Sequence, residues 1–154
     1  MNPLERQETP PDFQALRMES LRLGEITIKF PDLRDAAEMF FQDIPQCISE
    51  AEQKYPDPHE ALCYLVALLY RYFLGDEYYP PEYYPDVLPI EKQPHNGAKK
   101  YAAAKMLRFI RSNYPEAFEN NQHLASSPNI KFFTDWEASA IRVGEKGHPD
   151  LRGN

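Results

Sequence analysis

The chain has 154 residues, of which 42% are hydrophobic and 27% are charged, and its formal net charge is -7 at pH 7. This length suits one domain with a sizeable core, and the composition is that of a globular protein rather than a disordered one. The negative charge disfavours general binding to nucleic acid or to membrane surfaces, because both are polyanions. The 15 prolines, about twice the usual share of ~5%, predict short helices joined by stiff connections.

The cysteines and the apolar runs indicate the compartment. Cys47 and Cys63 lie on apolar stretches without metal-ligand spacing, so both are predicted to be reduced core residues. Residues 1–10 form a polar lead without an apolar signal segment, and the longest apolar run, from Ala61 to Leu74, is shorter than the ~20 residues that span a bilayer. We therefore expect a cytoplasmic protein.

The first structured elements are predicted to be a helix and a strand. Pro11 and Asp12 are typical of a helix start, and Gly24 is predicted to end that helix. The segment Glu25–Phe30 alternates between apolar and polar residues, which is the period of a half-buried strand. Since a lone strand needs a partner, we expect it to pair with Ile130–Phe133, the other good strand candidate.

Helical spacing follows in the next two segments. Apolar residues recur in threes and fours as far as Tyr55, but Pro45 interrupts them, which predicts a kinked helix or two consecutive helices. Asp57–Glu60 is the clearest helix start in the chain, and Gly75 is the corresponding stop. The helix Pro58–Leu74 between them is apolar on every face, so we expect other helices, or in part a partner chain, to cover it.

The second half predicts two more helices. One covers Gly97–Asn113, and a capping box of Thr134 and Glu137 begins the last one, which Gly144 is predicted to end. The predicted fold is therefore mainly α, a compact bundle of about five to six short helices around the apolar helix 58–74, with at most one small two-stranded β element. The single domain, 11–144, is expected to lie between a flexible lead, 1–10, and a flexible tail, 145–154.

A tyrosine-rich repeat is the main candidate for partner binding. The sequence EYYP occurs at 77–80 and again at 82–85, in a segment whose prolines favour extended backbone. Tyrosine is a favourable contact residue because its ring buries area while its hydroxyl stays hydrated. The predicted partner-binding residues are Glu77, Tyr78, Tyr79, Glu82, Tyr83 and Tyr84. The alternative is that these rings pack on the apolar helix as a lid.

A basic helix is the second candidate site. Helix 97–113 contains five lysines and arginines and no acid, and four of the cations fall on one arc of about 140° around Tyr101. Two lysines occupy its first turn, where the helix dipole disfavours positive charge unless an anion is bound. The predicted anion-binding residues are His95, Lys99, Lys100, Tyr101, Lys105, Arg108 and Arg111. The alternative is that acids of the preceding loop neutralise the lysines.

Motifs for catalysis are absent from the sequence. The four histidines are scattered, and no nucleophile elbow, phosphate loop or metal-binding motif occurs. We therefore predict no catalytic residue, cofactor or metal, and a non-enzymatic protein-interaction module, such as a small adaptor or regulatory subunit, acting on a protein partner. The alternative is an anion- or nucleic-acid-binding protein that uses helix 97–113. Self-association stays open, because a helix apolar on every face is difficult to cover in a chain of this size.

Overall fold

Two of the helices begin where the sequence supplies a cap. In the computed structural model, which describes residues 10–74, 97–119, 121–124 and 130–151, the Asp12 carboxylate accepts a hydrogen bond from the Ala15 amide at 3.1 Å, and Asp57 accepts one from the Glu60 amide at 2.9 Å. These carboxylates satisfy amides of the first turn that have no partner within the helix. The predicted helix starts at Asp12 and Asp57 are thus confirmed.

The described part of the chain is mainly helical, as predicted. The α-helices are α1 (Phe13–Thr27), α2 (Arg34–Glu38), α3 (Ile44–Lys54), α4 (Pro58–Leu74), α5 (Gly97–Asn113) and α6 (Ile130–Glu145). Short 3-10 helices cover Pro31–Leu33, Pro115–Ala117 and Pro149–Leu151. Within the described ranges, no helix is long and apolar enough to cross a membrane.

The predicted β element is wrong. Helix α1 continues through Thr27, into the segment Glu25–Phe30 that was predicted as a strand, and Ile130–Phe133 forms the first turn of α6. The Thr27 side chain is buried, and its hydroxyl donates to the Leu23 carbonyl one turn earlier at 2.8 Å. Alternation over only six residues also fits the end of a helix, so it did not discriminate between the two structures.

Two glycines predicted as helix ends lie inside helices instead. A Cβ atom added to Gly24 would lie 2.7 Å from the Phe41 ring, and one added to Gly144 would lie 2.4 Å from Cδ1 of Tyr101. Real Cβ atoms do not approach other heavy atoms so closely, because packing at this distance is strongly repulsive. The glycines therefore allow aromatic rings to pack directly on the backbones of α1 and α6.

The interruption predicted at Pro45 takes the form of a π-helical turn. Residues Met39–Asp43 join α2 to α3 in this wider turn, in which the Ile44 amide donates to a carbonyl five residues earlier. Pro45 has no N–H with which to continue this pattern to the Phe40 carbonyl. The buried Ser20 hydroxyl of α1 donates to that carbonyl at 2.5 Å. A side chain of another helix thus supplies the hydrogen bond that the proline cannot make.

Helix α4 packs against α3 and α5, and α5 packs in turn against α6 and α2. The buried side chains of α4 are Ala61, Leu62, Leu65, Val66, Ala67, Leu68, Leu69 and Tyr70. Cys47 and Cys63 are both free, the first buried and the second half-buried. Helices from both halves of the chain therefore meet in one core.

The end of the chain packs on the fold. The predicted flexible tail begins at residue 145, but Leu151 is only 1% exposed and belongs to the core. Nε2 of His148 lies 2.8 Å from a carboxylate oxygen of Asp32, and its ring contacts the Phe30 ring at a centroid distance of 4.7 Å. The tail prediction is therefore wrong as far as Leu151, and residues 1–9 of the predicted lead lie outside the described residues.

Candidate functional sites

The residues predicted to bind a protein partner lie outside the described residues. This holds for Glu77, Tyr78, Tyr79, Glu82, Tyr83 and Tyr84, and also for His95 of the alternative anion site. The repeat therefore stays a prediction. The structure tests the rest of the anion site, which lies on α5.

The basic arc predicted as an anion-binding site on α5 is buried at three positions. Lys100, Tyr101 and Lys105 are 3%, 1% and 5% exposed, whereas Lys99 and Arg108 lie at the surface. A helical wheel shows which residues share a face but not what covers that face, and here α6 packs over it. Tyr101 is therefore not available as a stacking surface for nucleic-acid bases.

A buried carboxylate neutralises one of the lysines. Lys105 Nζ and the Tyr101 hydroxyl both donate to Oε2 of Glu145, each at 3.1 Å. Burial, and then the negative charge of Glu145, raises the pKa of Tyr101. Such charge-assisted hydrogen bonds compensate for the removal of charged groups from water. No sequence pattern predicted this cluster, because Glu145 lies in the segment predicted as a flexible tail.

The buried Lys100 is expected to make the unfolding free energy depend on pH. Burial lowers the pKa of Lys100 to about 8, below the ~10.4 of an unfolded lysine, so the folded state releases this proton first. Because the unfolded state then binds more protons, stability from this group rises between pH 8 and 10. We compare the wild type with Lys100→Met. The stability advantage of the wild type, as the difference in unfolding free energy, should increase by about 2 kcal/mol at most between pH 7 and 9.5.

Denaturant unfolding of the two proteins at several pH values measures this difference. The other titratable groups occur in both proteins, so their contributions cancel in this difference. A Lys99→Met variant is the control, since Lys99 is exposed on the same helix. A difference that stays constant with pH, as expected for the control, would contradict the prediction for Lys100.

The second buried polar cluster joins α4, α5 and α6. The Tyr70 hydroxyl donates to Glu137 Oε1 at 2.5 Å, and Nη2 of Arg111 donates to the Tyr70 hydroxyl at 2.6 Å and to Glu137 Oε1 at 2.7 Å. Arg111 also pairs with Oε2 of Glu137, and its guanidinium lies 4.3 Å from the Phe118 ring centroid. This geometry makes the cluster a clamp between helices, so Glu137 does not cap α6 as predicted.

A third cluster is aromatic and lies at the start of α4. The rings of Tyr55, Tyr64 and His123 pack together, with centroid separations of 5.0 to 5.4 Å, and Nε2 of His123 lies 2.7 Å from Glu60 Oε1. Rings so close leave no room for a ligand between them. Cys63 lies nearby, and burial followed by the charge of Glu60 raises its pKa to about 11, which disfavours the reactive thiolate at neutral pH.

A surface groove lies between α1 and α5. Its volume is about 180 Å³. The lining residues are Glu19, Leu23, Lys105, Arg108, Phe109 and Ser112. The groove therefore brings two of the predicted anion-binding residues, Lys105 and Arg108, to one place, where Leu23 and Phe109 add apolar surface.

The exposed face of α1 carries an apolar stripe. Met18, Leu21 and Ile28 are 57%, 38% and 55% exposed, and within the described ranges they are the exposed large apolar side chains. Gln14 and Glu25 complete the spacing of four, three, four and three residues, and both are also exposed. We call these five residues the outer stripe. The sequence analysis missed it because Ile28 was assigned to a strand.

Comparison with known proteins identifies no relative. No protein-family model, curated protein or solved structure matches the chain. In the part of the chain that the structure describes, no group of three or more histidine, cysteine, aspartate or glutamate side chains could hold a metal ion.

Proposed function

We propose that this chain is a non-enzymatic protein-interaction module, a small adaptor or regulatory subunit in the cytoplasm. The outer stripe of α1 is the observation that carries the proposal. An exposed side chain such as Met18 or Ile28 is common on its own, but here Met18, Leu21 and Ile28 lie along one face of α1 and its C-terminal end. A partner that covers this face would remove the apolar surface from water.

The spacing of the outer stripe favours a helical partner. Residues separated by alternating steps of three and four give the 3.5-residue repeat with which two helices pack along a common seam. The opposite face of α1 holds the helix to the core through Leu16, Leu23 and the buried Gly24. The outer stripe is therefore not needed for folding, and its two polar positions, Gln14 and Glu25, favour partners with polar groups at matching places.

The tyrosine repeat is the second part of the proposed surface. Glu77, Tyr78, Tyr79, Glu82, Tyr83 and Tyr84 combine aromatic contact area with negative charge, which suits a partner with a basic, apolar surface. This part rests on the sequence and on the physical chemistry of tyrosine at interfaces. Testing it separately from the outer stripe shows whether one or both regions bind.

Affinity capture with matched variants tests the proposal. In Met18→Glu/Leu21→Glu, two carboxylates replace apolar surface on the stripe, and the control Gln46→Glu/Gln53→Glu adds the same charge at exposed positions of α3. We expect a partner captured from the native host by the wild type and the control to be lost in the stripe variant. Both variants should stay within about 0.5 kcal/mol of wild-type stability, since all four positions are exposed.

Two further arms complete the experiment. Tyr79→Ser/Tyr83→Ser/Tyr84→Ser tests the repeat, with unchanged melting temperature and lost capture as the expected result. Light scattering shows whether the partner is a second copy of the chain. In that case the purified wild type is a dimer and the stripe variant is a monomer. Retention of every captured protein by both the stripe and the tyrosine variants would show that neither region is a binding surface.

A further inference from the structure

We infer that the groove between α1 and α5 binds a small organic monoanion, a carboxylate with an apolar body of about the size of one benzene ring. The groove is lined by Arg108 and Ser112 on one side and by the apolar side chains of Leu23 and Phe109. This inference is independent of the protein-interaction proposal, because the outer stripe lies on another face of α1.

The charges around the groove leave one cation for a ligand. The Glu19 carboxylate receives two hydrogen bonds from Arg22, both at 2.8 Å, and Lys105 pairs with Glu145. These two pairs are neutral overall, whereas the described residues include no ion-pair partner for the exposed Arg108. Among the described residues, these three cations and two acids leave a charge of +1, which matches a monoanion better than a dianion.

The geometry of α5 places a hydrogen-bonding pair at the groove. Arg108 and Ser112 are four residues apart, so their side chains are neighbours on the helix surface. A guanidinium binds a carboxylate through two parallel hydrogen bonds, and a serine hydroxyl can donate a third. Two groups of this kind next to each other recognise a carboxylate more specifically than a lone surface arginine does.

The apolar lining determines the rest of the ligand. Leu23 is buried and Phe109 is half-buried, so both present carbon atoms to the groove. The groove volume of about 180 Å³ exceeds the ~150 Å³ of apolar protein cavities that hold benzene. A ring or short acyl chain would therefore lie against Leu23 and Phe109, while its carboxylate reaches Arg108. An apolar body adds affinity in proportion to the area it removes from water.

Three ligands test the two halves of this site on the full chain. In an NMR titration, 3-phenylpropionate should give saturable shifts of the amides of residues 19–23 and 105–112. We expect 3-phenylpropanamide, which lacks the charge, and propionate, which lacks the ring, each to bind more weakly than 3-phenylpropionate by about tenfold or more. No saturable shifts with 3-phenylpropionate, or equal binding of the uncharged amide, would overturn the inference.

A pair of variants identifies the cation. Arg108→Gln should weaken 3-phenylpropionate binding by about tenfold or more, and Lys99→Gln, which removes an equal exposed charge from the same helix, should leave it unchanged. Circular dichroism checks that both variants fold, as expected for exposed positions. Equal losses in the two variants would mean that the ligand responds only to net charge, and would also overturn the inference.

Discussion

Replacement of Arg111 by methionine is expected to lower the unfolding free energy by about 3 kcal/mol. The substitution leaves the Glu137 carboxylate, which is 3% exposed, inside the protein with the Tyr70 hydroxyl as its remaining described partner. An uncompensated buried charge costs more than the ion pair itself contributes, because the carboxylate has lost its water. The Arg111 side chain is 25% exposed, so we expect the lower end of the range for buried pairs.

A second and a third variant separate the charge effect from the loss of packing. Arg111→Met/Glu137→Met removes both charges and should recover most of the loss, since apolar side chains of similar size replace a buried pair at little cost. Arg108→Met, one turn earlier on α5, changes an exposed cation and should alter stability by no more than about 0.5 kcal/mol. Urea unfolding of the four proteins measures the differences. Equal stability of Arg111→Met and Arg108→Met would contradict the clamp described here.

The helix ranges that sequence reasoning predicted well are those with strong local signals. Helix α4 has an N-cap at Asp57 and covers Pro58–Leu74, and α5 covers Gly97–Asn113, both as predicted. A cap acts through hydrogen bonds between neighbours in the chain, so a short stretch of sequence contains all the necessary information. The same is true of Pro45, whose missing N–H disturbs only the local hydrogen-bond pattern.

The errors concern contacts between residues distant in sequence. Lys100 and Lys105 were predicted to bind an anion, but both are buried, and Lys105 pairs with Glu145 of α6. Only the tertiary arrangement determines which groups cover these side chains. Arg111 was predicted to bind an external anion, whereas its partner in the fold is Glu137, which lies 26 residues further along the chain. Periodicity identifies a face of a helix, but it cannot identify the partner that this face meets.

Glycines show the same ambiguity most directly. Gly24 and Gly144 follow apolar helical stretches, as a helix-ending glycine does, and yet each lies within a helix against an aromatic ring. Both uses of glycine depend on its missing Cβ, one for a left-handed backbone and the other for close packing. Gly147 is the glycine with positive φ in this region, at 83°. The helix end thus comes just beyond the predicted position.

Replacement of Gly144 by alanine tests this distinction and is expected to lower the unfolding free energy by about 3 kcal/mol. The new Cβ would lie 2.4, 2.6 and 2.9 Å from Cδ1, Cγ and Cβ of Tyr101. The ring cannot move away easily, since it is 1% exposed and its hydroxyl donates to Glu145 on the same helix. The higher helix propensity of alanine, about 1 kcal/mol, offsets only part of the repulsion.

The neighbouring glycine provides a control for backbone conformation. A Cβ added to Gly147 meets nothing within 4 Å, so Gly147→Ala should cost only the strain of its positive φ, about 1 to 2 kcal/mol. Gly147→Asn should cost less, because asparagine tolerates this conformation better. If Gly144→Ala proved as stable as the wild type in urea unfolding, the Tyr101 ring would have to move at almost no cost, contrary to our expectation.

A double-mutant cycle shows whether the clash with Tyr101 is the cause. Tyr101→Ala alone removes a large buried side chain and should itself cost about 3 to 5 kcal/mol. In Gly144→Ala/Tyr101→Ala the added methyl group no longer meets a ring, so the double variant should be less destabilised than the sum of the single variants. Additive losses would instead mean that Gly144→Ala acts through something other than this contact. A coupling of about 1 kcal/mol or more would show that α5 and α6 pack through the missing side chain of Gly144.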